Sequence, residues 1–89
     1  MRQTEEAKKI IGRKLLCISE LLLTNKISDE DARTLVRMLN SIEYNLGNAT
    51  VYNRLYEYLR QLTQLHYDDE IKKKLAFTED EINLLVRNT

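Results

Sequence analysis

The chain reads as a single all-α domain over residues 1–89, an antiparallel helical bundle of four to five helices. Three observations predict it. Proline is absent and the only glycines are Gly12 and Gly47, so little interrupts a helix, while Leu, Glu, Lys and Arg are abundant. Apolar residues recur at helical spacing through successive windows. Helix-start chemistry is written three times, at Thr4, Ser28 and Thr78. Hydrophobic residues make up 43% and charged residues 31% of 89 residues. That balance suits a globular chain rather than a disordered one. The length lies just above that at which one apolar core holds a chain without staples.

The first helix is expected from about Thr4 to Thr24. Thr4 can cap it, and Glu5 and Glu6 fall where the helix dipole favours negative charge. At about 100° per residue, Ala7, Ile11, Leu15, Ile18 and Leu22 form one stripe, broadened by Ile10 and Leu21. That stripe is core. Leu16 and Leu23 lie on the opposite side, in line with Gly12 and Ser19.

Asn25-Lys26 is the first turn. Ser28 caps the second helix, Asp29, Glu30 and Asp31 fill its first turn, and Ile27 staples to Ala32. Its buried face is Ala32, Leu35, Val36, Leu39, Ile42 and Leu46, and Gly47 supplies the left-handed stop. A third helix runs from Asn48 or Thr50 to about His66, with Val51, Leu55, Tyr58, Leu59, Leu62 and Leu65 inward. A shorter element, Asp69 to Leu75, turns Ile71 and Leu75 inward and Lys72, Lys73 and Lys74 mostly outward. Thr78-Glu79-Asp80-Glu81 is a complete capping box with Phe77 and Ile82 as its staple. It opens a last helix carrying Ile82, Leu85 and Val86. The two acidic starts, Ser28 and Thr78, each lead to Leu-Val-Arg (residues 35–37 and 85–87). Shared cap chemistry accounts for this without an internal duplication.

Charge and motif content narrow the function. With 14 basic and 14 acidic residues the formal charge is zero, which argues against binding nucleic acid through its phosphates. Cys17 is the only cysteine, so no disulfide closes within the chain and a reducing cytoplasm is the simplest setting. Met1 to Lys9 is polar, without a secretory apolar region. Leu15 to Leu23 is broken by Ser19 and Glu20 and is too short to span a bilayer. No transmembrane segment is expected. Asn48-Ala49-Thr50 matches a glycosylation sequon only by chance in such a setting.

Catalysis needs converging groups, and the sequence supplies none. Cys17 and His66 fall on or beside apolar faces, where a packed thiol and a hydrogen-bonded imidazole are the usual finding. Asp68, Asp69 and Glu70 adjoin His66, but consecutive acids point in different directions and read as cap chemistry rather than metal ligands. Neither a cofactor nor a metal is expected, and the chain is read as a non-enzyme. Asp69 to Asn88 fits the apolar positions of a helix-turn-helix tolerably. Its recognition helix would open with Glu79-Asp80-Glu81, where phosphates and base edges ask for lysine or arginine.

Two surfaces are candidates for protein binding. Gly12, Leu16, Ser19 and Leu23 form a stripe on which another helix can approach closely. It is either a homodimer seam or partner groove, or the second side of a central helix enclosed by the others. The second candidate is Tyr56-Arg60-Thr63-Tyr67, flanked by Tyr52. Tyrosine and arginine at this spacing are typical of binding hot spots. Tyr52 is expected to cap the core edge, whereas Tyr56 and Arg60 are expected to bind.

The order of features resembles the enterocin A immunity family, small helical proteins that protect bacteria against class IIa (pediocin-like) bacteriocins. The specific stretches are Val51-Tyr52-Asn53-Arg54-Leu55, opening the third helix, and Lys74-Leu75-Ala76-Phe77-Thr78, leading into a last helix with Glu81 and Leu85. The stretch between them is about three helical turns longer than the family plan, and the charge is neutral where many members look basic. The resemblance implies a cytoplasmic antiparallel four-helix bundle that binds a mannose-transporter receptor complex at the cytoplasmic face of the membrane. Its third and last helices would make the contact. The sequence therefore points to a helical protein that inhibits or protects by protein–protein contact through Leu16, Leu23, Tyr56, Arg60 and Tyr67. A different reading is a small dimeric regulator, of transcription or of a host protein from a phage, built on the Leu16/Leu23 seam.

Overall fold

The computed structural model describes residues 2–65 and 67–86 and forms five helices. They are α1 (Arg2–Leu23), α2 (Asp29–Tyr44), α3 (Ala49–Leu65), α4 (Asp69–Leu75) and α5 (Glu79–Val86). Helix α1 packs along α2, and α2 along α3. The short α4 and α5 each touch both α1 and α3, so together they take the fourth side of the bundle. The body measures 37 × 21 × 20 Å, its long axis set by α1.

The helices begin and end where local chemistry says they should, with two exceptions. Ser28 Oγ accepts from the Asp31 N–H at the head of α2. Asp68 does the same for Ile71 at the head of α4. At the head of α5, Thr78 Oγ1 accepts from the Glu81 N–H while the Glu81 carboxylate accepts from the Thr78 N–H, the reciprocal pair of a capping box. At the end of α1, Asn25 adopts φ 59°, and the Lys26 N–H reaches back to the Leu21 carbonyl. This closes the helix in a Schellman turn, with asparagine in the place glycine usually holds.

The exceptions are Thr4 and Gly47. Thr4 lies inside α1, not at its cap, because Arg2 and Gln3 are good helix formers with no breaker behind them. Gly47 has the expected left-handed φ of 86°, but α2 already stops at Tyr44 with Asn45 as its cap. Gly47 instead shapes the connection to α3, and its N–H donates to the Leu85 carbonyl at 2.9 Å. One backbone bond thereby ties the α2–α3 turn to α5.

The core is apolar throughout. Ile11, Leu35, Ile42, Leu55 and Leu85 are its largest fully buried side chains, drawn from α1, α2, α3 and α5, and Ile71 and Leu75 bring α4 into it. Each such side chain contributes about 1.5–3 kcal/mol on burial, which is how helices as short as α4 and α5 are held. Val51, Tyr58 and Leu59, expected inward, are half-buried, and Tyr52 takes a buried place on the same helix. Its ring meets the edge of Phe77 at 6.0 Å. The side chain of Leu65 lies outside the described residues.

Candidate protein-binding surface

Helix α3 continues outward from Tyr52 to Tyr56, one turn on, whose ring lies 6.5 Å from that of Tyr52. Tyr56 is 51% exposed. A further turn brings Arg60, whose guanidinium pairs with Glu57 at 2.9 Å. The Glu57 carboxylate raises the Arg60 pKa further by hydrogen bonding and charge, so this residue is a permanent cation.

Across from this face lies the α4–α5 joint. Lys14 of α1 fixes its position. Its ammonium donates to the Lys74 and Ala76 carbonyls and sits 5.1 Å from the Phe77 ring centre. Those carbonyls lie at the end of α4, where a cation is favoured. Phe77 is thereby held between α1 and α3, with Ile82 beyond it. Tyr52, Tyr56, Leu59, Leu75, Phe77 and Ile82 wall a cleft of about 280 Å³, with Arg60 and Lys72 also lining it. An apolar floor with cations at its rim suits an apolar side chain of a partner beside a carboxylate.

Tyr67 does not continue the Tyr56–Arg60 stripe. Helix α3 ends at Leu65, and Tyr67 folds back onto the head of α2. Its hydroxyl donates to Asp31 Oδ2 and accepts from the Ser28 N–H. Tyr58 donates to Asp31 Oδ1. Tyr67 is thus half-buried in a polar clamp, a role its sequence spacing did not reveal. Thr63, the remaining member of the stripe, has its side chain outside the described residues.

The second candidate surface is open. Leu16 is 62% exposed and Leu23 80% exposed, and Gly12 and Ser19 are exposed with them. Among the described residues this face of α1 is therefore left open, and the reading in which other helices enclose α1 is corrected. Five helices do not surround α1 because α4 and α5 share one side of the bundle. Beside the stripe, Leu15, Leu22 and Val36 floor an open groove of about 1110 Å³ between α1 and α2, edged by Arg33 and Arg37. Tyr44, 87% exposed at the end of α2, is a further bare aromatic. At about 100° per residue it faces away from the buried Leu35, Leu39 and Ile42, where a lone aromatic gave no signal.

The groups considered for chemistry are dispersed. Cys17 is a free, half-buried thiol whose Sγ lies 3.6 Å from the Lys74 carbonyl. His66 lies outside the described residues. Asp68 caps α4 and Glu70 pairs with Lys74. Among the described residues no three His, Cys, Asp or Glu stand together as a metal would require. Among the same residues no helix is long and apolar enough to cross a membrane. Compared with protein-family models, with curated proteins and with solved structures, the chain matches none.

Proposed function

We propose that this protein is a non-enzymatic binding protein that inhibits or protects by holding a protein partner, with bacteriocin immunity as the specific form. The observation that carries the reading is the cleft between α3 and the α4–α5 joint, where exposed Tyr56 and Arg60 stand beside Phe77 and Ile82. Aromatic and arginine side chains around a small apolar recess are the usual composition of an interface hot spot. Both stretches that resemble the immunity family, residues 51–55 and 74–78, border this cleft. Ser28, Asp68, Thr78 and Glu81 engage their polar groups in helix caps. The partner in this reading is a transporter-type receptor complex met at the cytoplasmic face of the membrane.

The test is protection. The chain is expressed in a cell sensitive to a class IIa bacteriocin, which is then challenged with the toxin. Wild type should raise the dose needed for killing, and Tyr56→Ala/Arg60→Ala should lose that protection while keeping its helical spectrum. Equal killing with and without wild type rejects the immunity form. Undiminished protection by the double variant rejects the cleft as the contact.

A further inference from the structure

We propose that a second copy of this chain covers the outer face of α1, giving a two-fold dimer in which the two α1 helices run antiparallel. The inference is independent of the cleft on α3.

Three observations carry it. Leu16 and Leu23 are large apolar residues left exposed among the described residues, and surface leucines sharing one helix face call for a cover. Gly12, on the same face, has nothing within 4 Å of the place a Cβ would occupy. A glycine inside a helix weakens it, and among the described residues no close neighbour explains this one. A second backbone approaching the helix does.

The third observation is the order of the residues, which selects the occupant. Gly12, Leu16, Ser19 and Leu23 alternate small and large at four- and three-residue steps, so they share one face. A two-fold interface must be self-complementary: if one residue meets another, the converse contact also forms. In an antiparallel pair centred between residues 17 and 18, Leu23 comes over Gly12 of the second copy. Leu16 then lies beside Ser19 of the second copy. Each large residue meets a small one, and each contact occurs twice. Arg13 and Glu20 follow the two small residues on the same flank of the stripe, both exposed. This arrangement brings Arg13 toward Glu20 of the second copy, again twice. The shape pattern and the charge pattern thus call for the same register. The contact from Gly12 to Leu23 is about 18 Å long, and the open α1–α2 groove with Leu15 and Leu22 continues it on one side.

Sedimentation equilibrium over a range of concentrations tests the proposal. Wild type should approach twice its 10.5 kDa chain mass. Leu16→Glu/Leu23→Glu should sediment as a monomer with an unchanged helical spectrum. Arg13→Glu should weaken association, and Arg13→Glu/Glu20→Arg should restore it, since the reversed pair is again opposite in sign. A single 10.5 kDa species up to millimolar concentration overturns the proposal and leaves the face to another protein. A dimer that survives Leu16→Glu/Leu23→Glu overturns it by placing the seam elsewhere. Failure of the reversed pair to recover overturns the antiparallel register.

Discussion

Tyr67 donates its hydroxyl to the Asp31 carboxylate at 2.6 Å, and that bond fastens the segment after α3 to the first turn of α2. Asp31 also accepts from Tyr58 at 3.1 Å, while its own N–H caps onto Ser28. The Ser28 N–H closes the loop on Tyr67. Three separate pieces of chain therefore meet at one carboxylate, at the end of the bundle where α1 turns into α2.

Tyr67→Phe should lower the free energy of unfolding by about 1–2 kcal/mol, the usual contribution of a hydrogen bond to a charged acceptor at a half-buried site. Tyr58→Phe should cost less, because its bond is longer and Tyr67 still holds the carboxylate. Urea unfolding followed by circular dichroism gives both values. Equal losses in the two variants would show that the shorter bond has no special part in the clamp.

The same tyrosines predict a pH dependence. Burial, and then the Asp31 carboxylate, raise the Tyr67 pKa; burial is also the main cause for Tyr58, reinforced by Asp31. The fold thus favours the neutral phenols, and the unfolded chain ionises first, near pH about 10. Their contribution is complete below that pH and is lost as pH rises through the folded-state values. Stability of wild type should fall between about pH 9 and pH 11, and Tyr58→Phe/Tyr67→Phe should flatten part of that slope. Parallel slopes in the two proteins would remove these phenols from the account.

The Tyr56→Ala/Arg60→Ala variant should separate binding from folding. Tyr56 is half in water, and the Arg60–Glu57 pair is exposed, so its loss should leave the urea midpoint close to that of wild type. A drop of several kcal/mol in urea unfolding would make these residues part of the fold instead, and the loss of protection would then say nothing about contact.

How far the sequence could be read follows from which forces are local. Caps are local, so Ser28 and the Thr78–Glu81 box are found at the expected residues. Periodicity is nearly local, so Ala7, Ile11 and Ile18 of α1 and Ala32, Leu35, Leu39 and Ile42 of α2 are found buried, while Leu15, Leu22, Val36 and Leu46, also expected in those faces, are half-buried. Tyr52 could not be placed so well, because its burial depends on Phe77, which arrives 25 residues later through a turn held by Lys14. The Lys14 contacts carry no sequence signature, for they join a lysine to backbone carbonyls more than 50 residues away. Tyr67 misled for a related reason. The i, i+4 rule assumes that the helix continues, and α3 stops at Leu65. At Leu16 and Leu23 periodicity identified the face, but only the packing of α4 and α5 on one side shows that it stays exposed among the described residues.

The two glycines give a prediction of opposite sign. Gly12 has helical backbone and open space around its missing side chain. Alanine there should stabilise the monomer by about 0.5–1 kcal/mol, by restricting the unfolded chain and favouring the helix. Gly47 has φ 86°, where an L side chain is strained, so Gly47→Ala should cost more than about 1 kcal/mol. Its effect should also spread, since the Gly47 N–H holds the Leu85 carbonyl. Hydrogen exchange of α5 amides should therefore quicken in Gly47→Ala and stay unchanged in Gly12→Ala. Urea midpoints taken at a concentration where only monomer is present should move in opposite directions. A midpoint lowered by Gly12→Ala would mean that the outer face of α1 is occupied within the chain itself, contrary to the open space seen there.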